Sequence, residues 1–164
     1  MNFKLHEDYF RSIMFGVQDG LVSTTGVVVG ISAGVSQKEI VVLAAFVAVA
    51  VEATSMAAGQ YSSEKAVHQM DKTGKHTDSL ILGALIMFFS YLLAGLIPIV
   101  PVILFNQSDA RILSIIFAFI GLFLVGYIKG KVVEHKPLRS AIELFIIGAV
   151  ATSIGLLVGY FLKV

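Results

Sequence analysis

Apolar residues run along this chain in five long blocks separated by short polar connections. The blocks cover approximately residues 13–36, 38–62, 78–105, 110–130 and 140–162. Each reaches or exceeds the ~20 residues that a helix needs to cross a hydrocarbon layer. The connections read SQKE at 36–39, AVHQMDKTGKHTD at 66–78, NQSDA at 106–110 and KVVEHKP at 131–137, and only the second is longer than a turn requires. Since only helices and closed barrels satisfy their backbone inside lipid, the pattern predicts an all-α membrane protein, a single transmembrane domain over residues 1–164 with five spanning helices.

Composition strengthens this reading, with 57% hydrophobic and 14% charged residues in a chain of 164. The first block is too long for a signal-peptide core, lacks a small-residue cleavage site and follows acids, so it is expected to stay as a span. The absence of cysteine excludes a disulfide framework, a thiolate metal site and a cysteine nucleophile. A net charge of +1 says little about partners; the expected one is the lipid bilayer, and no nucleic acid is expected.

Basic residues set the expected orientation. Nine of the twelve Lys and Arg fall on one side: Lys4 and Arg11 before the first span, Lys65, Lys72 and Lys75 after the second, and Lys129, Lys131, Lys136 and Arg139 after the fourth. Lys38, Arg111 and Lys163 fall on the other. The N-terminus is therefore expected in the cytoplasm, together with all four histidines, His6, His68, His76 and His135, and the C-terminus outside or in a lumen.

Five spans cannot be cut into two equal inverted halves, so a two-fold arrangement would need a dimer. Gly16/Gly20 and Gly26/Gly30 have the spacing that lets helices approach closely, which serves packing within the chain or a dimer seam equally well. Pro98 and Pro101 are expected to kink or end the third helix near the outer face. Tyr91, Tyr127 and Tyr160 read as interface or packing residues without chemistry.

Against this background two acids stand out, Asp19 and Glu52, because they alone lie well inside apolar runs. Each costs about 2.5 to 3.5 kcal/mol at a helix centre, and no Lys or Arg lies at matching depth to offset it. On antiparallel helices they come within about one turn of the same level. Two carboxylates there persist either with a proton on at least one of them or with a cation between them. That is the logic of a site exchanging protons for a metal ion.

Helical spacing adds to it. Glu52, Met56, Gln60 and Glu64 recur every four residues and form one face from mid-membrane to the cytoplasm; Asp19, Ser23, Gly26 and Gly30 share a face of the first helix. A thioether suits first-row transition metals better than Mg²⁺ or Ca²⁺, so Met56 tilts the ion toward Fe²⁺ and its neighbours, although core packing is the commoner role of a lone methionine. Glu143, one turn inside the fifth span, is expected to snorkel to the interface. His68, Met70, Asp71, His76 and Asp78 read as a solvated loop before a metal-gathering one.

The stretches FGVQDGLVSTTGVVVGISAG, SMAAGQYSSE, GLIPIVP and IGAVATSIGLLVGY together resemble the vacuolar iron transporter family, also called the calcium cross-complementer type. The most specific are F-G-x-x-D-G-L and S-M-A-x-G-x-Y. The resemblance implies a homodimer of five-span protomers that exchanges Fe²⁺, and often Mn²⁺, for protons and moves metal out of the cytosol. It places the first-helix acid at Asp19 and the second-helix methionine at Met56, in a pathway lined by the first two helices; the spacing adds Glu52, Gln60 and Glu64 as further metal candidates, with Ser23 and Tyr61 as other pathway candidates. The membrane would be the cell membrane in a prokaryote and a vacuolar or other organellar membrane in a eukaryote. Transported metal and protons are the expected ligands, with no permanently bound cofactor.

Two departures from the family pattern are visible. Gln60 stands where relatives carry an acid, and residues 66–78 replace the acid-rich helical domain that better-known members insert there, which marks a short member. Outside the transporter reading stand a non-transporting membrane subunit packed against a larger partner and an intramembrane hydrolase. The latter is disfavoured, because only one intramembrane Asp exists and no span joins a serine to a histidine; no enzymatic activity is expected.

Overall fold

The computed structural model describes residues 7–71, 79–134 and 136–162. Lys4, His6, Lys72, Lys75, His76, Asp78, His135 and Lys163 lie outside the described residues. The chain folds as α1 (Glu7–Gly34), α2 (Lys38–Met70), α3 (Leu80–Leu104), α4 (Gln107–Lys129) and α5 (Pro137–Phe161), with a π-helical turn at Gly130–Glu134 between the last two. No strand occurs among the described residues, and all five helices are long and apolar enough to cross a membrane. This is an integral multi-pass membrane protein.

The helix ends follow local chemistry. Glu7 and Asp8 occupy the first turn of α1, where the helix dipole favours acids. The Ser79 hydroxyl accepts from the Leu82 N–H at 3.3 Å and caps α3. Pro137 opens α5, where its missing N–H costs nothing. Two helices outrun their apolar blocks: α1 is already helical at Glu7, ahead of about 13, and α2 continues to Met70 instead of about 62. The apolar pattern marks only the hydrocarbon layer, whereas intrahelical hydrogen bonds carry the helix on through charged turns. α3 also continues through Pro98 and Pro101 and ends three residues past the second proline, at Leu104. The Ser114 hydroxyl of α4 donates to the Pro98 carbonyl at 2.7 Å and ties α4 to α3 there.

α1 is the most enclosed helix. Val28 packs with Val41, Ala45 and Val49 of α2 and Ile99 and Val102 of α3. Leu21 packs with Ala94 of α3, Leu122 of α4 and Leu144 of α5. Lipid tails give no hydrophobic drive between helices, so close backbone contact has to supply the cohesion. A Cβ on Gly20 would lie 2.5 Å from the Tyr91 carbonyl oxygen of α3, and one on Gly30 would lie 2.8 Å from the Gly155 carbonyl oxygen of α5. Gly20 and Gly30 thus make close backbone contacts within the chain.

At the end opposite the N-terminus, two cations close the helix termini. Arg111 donates from Nε to the Ser32 hydroxyl at 2.9 Å and from a terminal nitrogen to the Ser32 carbonyl, near the end of α1. Lys38 donates to the carbonyls of Ile103 at 2.8 Å and Phe105 at 3.1 Å, at the end of α3. Both place positive charge where helix carbonyls are left without partners.

Candidate functional site

α1 and α2 run antiparallel through a three-residue link, Val35 to Gln37. The register is visible in two polar contacts. Ser23 of α1 donates to Glu52 Oε2 of α2 at 2.9 Å. Twelve residues earlier on α1 and twelve later on α2, Arg11 donates to Glu64. Between them, Asp19 and Met56 each stand four residues, about one turn or ~6 Å, from the Ser23–Glu52 contact toward the N-terminal end. Asp19 and Met56 are therefore level.

Three helices meet at Glu52. Besides Ser23, the Tyr91 hydroxyl of α3 donates to Glu52 Oε2, and the two hydroxyls touch each other. Tyr91 is fully buried. Asp19 is near enough to Glu52 for their charges to repel, and its carboxylate accepts no hydrogen bond from the described residues. The cluster thus holds one fixed carboxylate, one unengaged carboxylate and two hydroxyls, with the partly buried Met56 one turn further along α2. Two negative charges match one divalent cation. No cluster of three or more His, Asp or Glu suited to a metal occurs among the described residues, so a metal here would complete its coordination with the neutral donors.

Gln60 and Glu64 continue the same face of α2, as the four-residue spacing predicts. Gln60 Nε2 donates to Glu64 Oε1 at 3.2 Å, and Glu64 is 8% exposed. The two belong to a small pocket at the helix ends that Asp8, Tyr9, Ser12 and His68 also line. Tyr61 lies elsewhere: it borders a separate groove between α2 and α3, with Lys65 Nζ 6.0 Å from its ring centre. Met70, at 80% exposure, stands away from this face.

Tyr91 and Arg11 are the polar partners that sequence reading passes over. Tyr91 reads as a packing or interface residue, and its role shows only when Gly20 brings α1 against the α3 backbone at Tyr91 itself. Arg11 reads as a topology signal, and pairing with Glu64 follows from α1 and α2 both extending past their apolar blocks.

Five spanning helices, with a half-buried pair of carboxylates between α1 and α2, define a polytopic membrane protein. The sequence profile of the VIT family matches residues 10–80 and 66–160, and the chain belongs to that family. It is 42% identical over 65 residues to Vacuolar iron transporter 1 of Arabidopsis thaliana, across 39% of this chain and 26% of that protein. It is 34% identical over 74 residues to Vacuolar iron transporter 1 of Oryza sativa subsp. japonica, across 44% of this chain and 29% of that protein. These matches therefore span between a quarter and a third of the relatives' length.

Proposed function

We propose that this protein carries divalent transition metal, Fe²⁺ and also Mn²⁺, out of the cytosol in exchange for protons. The observation that carries the proposal is the Asp19–Glu52 pair, two carboxylates inside adjacent membrane spans with Arg11 about two to three turns away and engaged with Glu64. Metal and protons compete for the same oxygens: the empty site is stable with a proton shared by the pair, and the loaded site with a divalent ion between them. Met56, level with Asp19, adds a soft donor that favours Fe²⁺ and its neighbours over Mg²⁺ and Ca²⁺. The relatives' names, vacuolar iron transporters, agree with that choice.

The basic-residue bias puts the Arg11–Glu64 end in the cytoplasm. Metal then passes Glu64 and Gln60, reaches Met56, Asp19 and Glu52, and leaves beyond Ser23 as protons from the other side take its place. Ser23 also borders an apolar groove of about 550 Å³ between α1 and α5, lined by Gly26, Gly30, Gly155 and Gly159. A second protomer covering this groove would give the homodimer that is part of the proposal.

Purified protein in liposomes tests the reading. Fe²⁺ uptake that needs no other protein is the expected result. Liposomes that stay impermeable to both Fe²⁺ and Mn²⁺ would instead make the chain a subunit packed against a larger partner.

A further inference from the structure

The N-terminal end of the α1–α2 seam holds an ion pair that the exchange reaction itself does not require. Arg11 donates to Glu64 Oε1, and the same oxygen accepts from Gln60 Nε2 at 3.2 Å. Arg11 also stands 3.5 Å from Asp8 Oδ1, one turn back on its own helix. The two partners of the pair differ in setting: the Glu64 side chain is 10% exposed and the Arg11 side chain 59% exposed. The carboxylate is held in the protein while the guanidinium faces water, with a second acid beside it.

A cation approaching from this end meets Glu64 before any other acid of the α2 stripe, and finds it neutralised by a tethered positive charge. A monovalent ion gains no more from the carboxylate than the guanidinium already does, and it lacks the tether. A divalent ion gains about twice the Coulomb energy at equal distance and wins the exchange. The displaced guanidinium is not stranded, since it already stands within ion-pair distance of Asp8. Gln60 fits the arrangement because its amide donates to Glu64 without adding a second negative charge. An acid at 60 would leave Arg11 outnumbered.

We infer that Arg11 is a specificity-determining residue of the mouth, a tethered monovalent cation that divalent ions displace from Glu64 onto Asp8 and that monovalent ions do not. The inference rests on the pathway proposed above, with Glu64 at its cytoplasmic end.

Equilibrium binding of Mn²⁺, followed by EPR on protein in nanodiscs, tests it without any flux measurement. The titration is made in the wild-type chain and in an Asp19→Asn background, which isolates the mouth. Arg11→Gln is expected to tighten Mn²⁺ binding at the mouth roughly fivefold, the upper range for a part-exposed ion pair, and to make that binding sensitive to added Na⁺. Arg11→Lys keeps the parent affinity, and Arg11→Gln combined with Glu64→Gln loses the gain. Unchanged Mn²⁺ affinity in Arg11→Gln, or an equal gain in Arg11→Lys, overturns the inference. An absence of metal flux in liposomes with the affinity shift intact overturns the transport reading alone.

Discussion

Ser23 donates to Glu52 at 2.9 Å across the α1–α2 seam, and this contact sets the register of the whole polar stripe. From it, Asp19 falls level with Met56, and Arg11 falls opposite Glu64, where the two pair. Each donor set combines one residue from each helix, so a relative shift of α1 against α2 by one turn would separate all of them at once.

Tyr91 joins α3 to this register through its bond to Glu52. Tyr91→Phe keeps the ring in its buried site and removes only the hydroxyl. Metal flux is expected to fall severalfold, and stability in detergent to drop by about 1 kcal/mol, typical of an interhelical hydrogen bond in a membrane. Flux assays beside thermal denaturation of the same sample check both.

Gly20 permits the approach of α1 to α3 that brings Tyr91 to Glu52. Gly20→Ala places a Cβ 2.5 Å from the Tyr91 carbonyl oxygen and 3.1 Å from the Gly95 nitrogen, both backbone atoms of a packed helix. The expected cost is about 1–3 kcal/mol of overpacking, with flux lost together with stability. Differential scanning fluorimetry and flux on one preparation test this; a variant as stable and active as wild type contradicts the tight α1–α3 contact.

Gln60→Glu places a second carboxylate one turn from Glu64, on the same face of α2. With two acids against one guanidinium, the mouth is expected to hold metal more tightly, lowering the half-saturation concentration for Fe²⁺ in flux assays. An unchanged or higher value contradicts the placement of Gln60 on the metal's route.

Arg111 offers a contrast to Arg11, since its partners are the Ser32 hydroxyl and carbonyl at the opposite end. Arg111→Gln is expected to lower stability by about 0.3–1 kcal/mol, the usual worth of a cation at a helix C-terminus. Half-saturation for metal stays as in wild type. A shift in half-saturation without a stability loss would give Arg111 a place in the pathway that its contacts do not support.

Much of the fold was legible because a membrane span is a length-and-hydropathy problem: five apolar blocks gave five helices in the expected order. The site was legible in part. The four-residue spacing of Glu52, Met56, Gln60 and Glu64 marks one face of α2, and the helix presents that face inward. Tyr61 is adjacent in sequence to Gln60 yet borders another groove, because one step along a helix turns a side chain by about 100°. Tyr91 was illegible, since nothing local distinguishes a tyrosine that packs from one that holds a carboxylate. The Arg11–Glu64 pair was illegible too, because it depends on helix extensions beyond the apolar blocks and on the register between them.

In the proposed exchange, Asp19 and Glu52 form one site that alternates between protons and metal. Liposomes loaded with a pH-sensitive dye at acid internal pH, then given external Fe²⁺, test it most directly. Wild-type protein is expected to take up Fe²⁺ while the internal pH rises. Asp19→Asn, inserted to the same level, is expected to show neither change. Fe²⁺ uptake that proceeds unaltered in Asp19→Asn, or that leaves the internal pH unmoved in wild type, would contradict the account.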